Sequence, residues 1–215
     1  PKPLVMEPGG WITCEYDVPP DAWYFGANRQ SAMPFSVLLE AALQPCGFLA
    51  AYVGSALTTE DVLAFRNLDG SATVSREVFS NVGTLTMKSR LTKVSRAGGM
   101  LLQEFDFEVN DREGLVYRGK TGFGFFPPVA LAQQVGVRGG SKWELPQGRT
   151  FSLPMEAPLT PDERGTPAAG LTLPAKAYAM IDTIDVLSLE TGFISGHKRV
   201  DPSEWFFRAH FFQDP

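Results

Sequence analysis

Two short hexamers hold the residues whose chemistry stands out. "WFFRAH" closes on His210, and "WYFGAN", far earlier in the chain, closes on Asn28. Both open on tryptophan and share Phe and Ala in register; they part at the last position. An imidazole gains or loses a proton close to neutral pH, whereas an amide does not. Of the two positions only His210 offers a base. A third residue is Glu40, a carboxyl inside the otherwise apolar stretch "FSVLLEAALQPCGFLAAYVGSAL", residues 35–57. A carboxylate among apolar side chains costs stability unless it is paired, so Glu40 either meets an arginine or has a use. Gln44, one helical turn on, reads as its hydrogen-bonding helper. His197, flanked by Lys198 and Arg199, reads as a surface residue, and Cys46 as a small core residue.

The elements that must position these groups follow from periodicity. "WITCEYDV" alternates apolar and polar residues and predicts a strand, followed by a turn at "PPDAWYF". Ser36–Ala51 is apolar on nearly every side, which predicts a helix enclosed by protein on all faces. Met33-Pro34 suits its start, because a proline in the first turn forfeits no hydrogen bond. From about residue 62 the period becomes two. "VLAFRNL", "SATVSREVF", "GTLTMKSRLTKVSRAG", "MLLQEFDFEVND" and "GLVYRGKTGFGFF" predict antiparallel strands, joined at Asp69-Gly70, Ala97-Gly98-Gly99 and Asp111-Arg112-Glu113-Gly114. One apolar helix and several long strands imply a sheet wrapped around that helix. Residues 134–173 are Gly/Pro-rich without a period and read as a linker or crossing segment. Strand alternation returns in "AYAMIDTIDVLSLETGFISGHKRVD", with a turn at Glu190-Thr191-Gly192.

"DVPPDAWYFGAN" (17–28) aligns without a gap on "RVDPSEWFFRAH" (199–210), and "GGWITCEY" falls opposite "TGFISGHK". The chain thus holds two related units: 1–133, lacking an opening strand; the linker 134–173; and 174–215, which stops where its helix is due. The expectation is a piece of a longer protein, cut inside a unit at both ends. Trp23 and Trp205 are expected in core packing.

At 215 residues and 44% hydrophobic the chain can bury one or two cores. A net charge of −5 and no basic stripe argue against a nucleic-acid partner. Glu40, Gln44, Pro45 and Gly47 interrupt the long apolar run, which reads as a core helix and not a membrane span. Two cysteines without a spaced partner set suit a reducing cytoplasm, with neither a disulfide framework nor a zinc site.

"WFFRAHFFQDP" resembles the active-site strand and loop of the hot-dog-fold β-hydroxyacyl-[acyl carrier protein] dehydratases, and "MPFSVLLEAALQ" resembles the segment beyond that loop. "EYDVPPDAWYF", "MPFSVLLEAALQPCGFLAAYVGSAL" and "FRNLDG" are similar to the dehydratase region of polyunsaturated fatty acid synthases. The resemblance implies an α+β hot-dog fold, two units forming a double hot dog, and a catalytic pair made of a histidine from one unit and an acid on the helix of the other. Carried over, the histidine is His210, the acid is Glu40 and the glutamine is Gln44, with Asn28 the degenerate histidine position. The implied reaction removes the α-proton and β-hydroxyl of a 3-hydroxyacyl thioester. Neutral His210 would act as base, and burial of Glu40 among Val37, Leu38, Leu39 and Leu43 would raise its pKa until it donates a proton. Backbone N–H groups near Phe35 and Ser36 would receive the thioester oxygen.

The implied partners are acyl carrier protein with a phosphopantetheine-linked chain and neighbouring synthase domains, with a dimer possible and neither metal nor organic cofactor. Two departures stand out: Phe35 replaces the family's glycine, and "NRQSA" is shorter than the usual loop. Two other classes compete, an acyl-thioester hydrolase on the same fold and a non-catalytic module that binds acyl carrier protein.

Overall fold

The computed structural model describes residues 8–57, 59–60, 62–132, 147–152, 174–175 and 178–209. The chain divides into two compact units, Pro1–Ala22 with Ser31–Gly136, and Trp23–Gln30 with Val137–Pro215.

The first unit is built on five strands and one long helix: β1 (Trp11–Asp17), α2 (Phe35–Tyr52), β2 (Ala64–Val74), β3 (Thr84–Ala97), β4 (Met100–Asp111) and β5 (Gly114–Phe126), with the short helix α3 (Pro128–Ala132) after them. The strands form one antiparallel sheet in the order β1-β3-β4-β5-β2. Alternation decides its faces. On β4, Leu101, Gln103, Phe105, Phe107 and Val109 are buried, while Glu104, Asp106 and Glu108 are exposed. Leu85, Met87, Ser89 and Leu91 of β3 continue the inner face. Against it lies α2, which buries Leu38, Ala42, Cys46, Leu49 and Ala50, a stripe at helical spacing. Ala42 and Cys46 are fully enclosed. Their small side chains let the helix backbone come close to the sheet. An antiparallel sheet packed on one long helix is the hot-dog arrangement.

Phe105 is at the centre, fully buried, paired across the sheet with Leu91 and Thr121, and edge-on to Phe123 at 5.6 Å. Phe105→Ala is expected to cost about 3–5 kcal/mol, read as a lowered urea midpoint at unchanged slope. A cost under about 1 kcal/mol would mean that the site collapses freely, contrary to a packed core. Polar pairs interrupt this face: in one of them Ser55 Oγ donates to Gln103 Oε1 at 2.9 Å, and Gln103 Nε2 has no protein partner among the described residues.

Three expectations are corrected here. Asp69-Gly70 does not join two strands; both lie inside β2, beside a bulge between Asn67 and Asp69. Gly70 is needed for close approach, since a Cβ there would stand 2.8 Å from the Lys120 carbonyl oxygen on β5. Secondly, α2 is not enclosed on all sides. The sheet covers one face, and Phe35, Ser36, Glu40, Gln44, Phe48 and Tyr52 line the other, exposed. Residues Phe35–Leu57 have the length and mean hydropathy (1.4) of a membrane span, a property shared by core helices; here the helix packs on its own sheet. Thirdly, the "PPDAWYF" turn runs into a helix, α1 (Trp23–Asn28).

In the second unit β6 (Arg149–Ser152), β7 (Thr183–Ser188) and β8 (Phe193–His197) form an antiparallel sheet in the order β6-β7-β8, followed by α4 (Trp205–Ala209). β6 falls within the stretch 134–173, which the Gly/Pro content had marked as a linker; its pairing with β7 supplies hydrogen bonds that its own sequence does not announce. The β7–β8 hairpin turns at Gly192, whose φ is +65°. Residues 23–30 belong to this unit and not to 1–133. Trp23 packs on Tyr178 at 6.1 Å and on Trp205 at 5.0 Å.

Candidate active site

Glu40 and Gln44 stand one turn apart on α2, and the helix brings them together: Gln44 Nε2 donates to Glu40 Oε1. This pair replaces the arginine that Glu40 could have met. The expected burial of Glu40 among Val37, Leu38, Leu39 and Leu43 is not found. Leu38 is buried against the sheet, but Glu40 points to the opposite, exposed side. Helical geometry gives the reason: two residues apart on a helix means roughly opposite faces.

The entry to α2 is set by Pro34, whose carbonyl accepts from Val37 N–H at 3.0 Å and Leu38 N–H at 3.1 Å. Its extended ψ of 137° turns the chain into the helix. Phe35, in the place of the resemblance's glycine, is 56% exposed and sits edge-on to Tyr117 at 5.8 Å. Tyr117 itself is buried, which pushes its phenol above the usual range. Ser36 is exposed beside Phe35. The first turn of α2 therefore presents backbone amides next to an aromatic ring, with the Glu40–Gln44 pair just beyond.

In the second unit, Asp201 accepts from the N–H and hydroxyl of Ser203, at 2.8 and 2.7 Å, and shapes the turn into α4. Lys198 ties the end of β8 to that turn, reaching Asp182 at 3.3 Å and Glu204 at 2.8 Å. Trp205–Ala209 is a short helix where the resemblance implied strand and loop. His210 follows directly and lies outside the described residues. Asn28 ends α1, half-buried. Trp23 and Trp205 are 51% and 38% exposed, so they pack on each other and not in a closed core. Composition favoured burial; the repeat itself was the signal that could have paired them. His197 is a surface residue, its Nδ1 2.7 Å from Asp185 Oδ1 on the neighbouring strand.

Cys46 is fully enclosed, within 3.3 Å of Ser89 Oγ, and burial pushes its thiol up to about 11. Only a thiolate is alkylated rapidly. In native protein at pH 8, Cys14 is therefore expected to take up iodoacetamide and Cys46 to resist until urea unfolds the chain. Two labels at equal rates in native protein would contradict the enclosed thiol. The sign for stability is fixed too. A folded-state value above the ordinary thiol value means this group's contribution is complete below about pH 8.5 and declines as pH rises toward 11.

Against known proteins, the FabA-like domain family matches residues 173–215. Over 227 residues the chain is 33% identical to a subunit of the polyunsaturated fatty acid synthase of Thraustochytrium sp., an alignment that takes in 95% of this chain and 15% of that protein. The chain thus spans about 15% of the length of this curated relative. Among solved structures it resembles a hot-dog-like protein from Thermanaerovibrio acidaminovorans (14% identity, 63% of this chain, 94% of that one, TM-score 0.44). It also resembles a thioesterase superfamily member from Thermus thermophilus (12% identity, 61% of this chain, 90% of that one, TM-score 0.45).

Proposed function

From the premise that this chain is a hot-dog-fold relative of the polyunsaturated fatty acid synthases, we propose that it is a cytoplasmic dehydratase acting on 3-hydroxyacyl thioesters carried by acyl carrier protein. The observation that carries this reading is the placement of the FabA-like match: it covers residues 173–215, the segment that contains His210.

In this reading neutral His210 removes the α-proton. The electron pair of that C–H bond forms the Cα=Cβ double bond, and the β-C–O bond breaks as Glu40 donates a proton to the leaving hydroxyl. Water and a trans-2-enoyl thioester result, and the proton on His210 restores Glu40. Gln44 holds the Glu40 carboxyl at one oxygen, and the amides of the first turn of α2, at Phe35 and Ser36, receive the charge that develops on the thioester oxygen. Glu40 is exposed on α2.

The test is the reverse reaction. Full-length polypeptide is given a trans-2-enoyl thioester, and hydration is followed as loss of ultraviolet absorbance. Thiol release is read in parallel. Hydration without thiol release supports the dehydratase. Thiol release alone would replace it with a thioesterase, and neither signal would leave a carrier-protein-binding module.

A further inference from the structure

The two copies of the repeat meet at equivalent positions. Trp23 and Trp205, matched residues of the gapless alignment, pack against each other with ring centroids 5.0 Å apart at 65°. The copies share more than composition. Pro19 O accepts from Ala22 N–H at 3.1 Å, and Asp201 O accepts from Glu204 N–H at 3.1 Å, the same bond at the same places of the repeat. Each turn follows a strand, β1 or β8, and each leads into a short helix, α1 or α4. Matched residues of the repeat are thus in direct contact. Two further contacts fix α1: Tyr178 packs on Trp23 at 6.1 Å, and Ala175 N–H donates to Ala27 O at 2.7 Å. These contacts account for residues 23–30 grouping with the second unit, although the chain on both sides of them belongs to the first.

We propose that α1, the copy that ends in Asn28, is the docking partner of α4, and that Trp23 is a positioning residue for His210. Trp205 opens α4, and His210 is the first residue after it. Bracing Trp205 holds the helix that leads directly to the histidine. The copy without a histidine is on this account a working half of the site's scaffold. The effect on rate rests on the dehydratase reading; the contact between the helices does not.

The test uses full-length polypeptide carrying Trp23→Phe, Trp205→Phe, both, and Trp23→Ala. Two indoles this close couple, and their couplet appears in far-ultraviolet circular dichroism. Each single Phe variant is expected to remove the same couplet, and the double variant no more. In Trp23→Ala, backbone amides of 205–209 are expected to exchange with deuterium about threefold to tenfold faster, the range an aromatic pair supplies. The value of kcat for enoyl hydration is expected to fall by a similar factor with KM unchanged, and Trp23→Phe to recover most of it. A couplet that survives Trp23→Phe, or exchange and kcat that stay at wild-type values in Trp23→Ala, would overturn the proposal. A wild-type chain that hydrates nothing overturns the dehydratase reading instead, and the couplet and exchange then decide the docking contact by themselves.

Discussion

Replacing His210 by alanine is expected to lower enoyl-thioester hydration about 10²–10⁴-fold, the range that a positioned acid–base group contributes. The loss should fall on kcat, because the imidazole acts on the reacting C–H bond and not on the bulk of the acyl chain. A second signature is independent of size. In the wild type the rate is expected to decline on the acid side as the imidazole base takes up a proton; in His210→Ala that limb should vanish from the residual rate. Asn28→Ala serves as the internal control and should keep the limb, since an amide does not titrate. A His210→Ala protein that hydrates at the wild-type rate, with the acid limb intact, would show that the base lies elsewhere.

The second large effect belongs to Glu40. Glu40→Gln keeps the length and the hydrogen-bonding oxygen but removes the transferable proton, and hydration is expected to fall at least about 100-fold. Gln44→Ala leaves the acid in place and removes only the amide that holds it, so about tenfold is expected, the worth of one hydrogen bond to a carboxyl group. The ordering of the two is the informative part. Equal, small effects would make Glu40 and Gln44 an ordinary exposed pair on a helix. A steep loss in Glu40→Gln with a mild one in Gln44→Ala assigns chemistry to the first and positioning to the second.

Much of this arrangement could be read from residue order. The β3–β4 and β4–β5 hairpins follow from strict alternation and from turns that need glycine, with Gly98, Gly99 and Gly114 all at positive φ. The start of α2 follows from Met33-Pro34. What misled was locally ambiguous. Asp69-Gly70 has turn composition, yet the glycine answers to the nearness of Lys120 on a strand about fifty residues away in sequence. α2 reads as apolar on nearly every side, yet its polar residues Ser36, Glu40 and Gln44 recur every fourth position and mark the face that the sheet leaves exposed. Leu38 and Glu40 were grouped by proximity in sequence, when the helical period separates them. Arg149–Ser152 gained a strand through a partner, β7, that no local pattern could reveal. Glu40, Gln44 and the aromatic repeat could be found by residue type, because a carboxyl in an apolar run and a duplicated tryptophan are both rare. That the two tryptophans pack on each other required coordinates.

The strand order also sets a sequence of events in time. β3, β4 and β5 are consecutive, tightly turned and adjacent in the sheet, so they can pair as soon as they are made. The outer partnerships, Trp11 with Arg90 and Ala64 with Phe126, close much longer loops and must come later. Synthesis runs from the other end. α2, with Leu38, Ala42, Cys46 and Leu49 along its apolar stripe, leaves the ribosome before β3 and β4, two of the strands that will cover it. During that interval the nascent chain displays its stickiest helix uncovered, and that interval is when it most needs a chaperone.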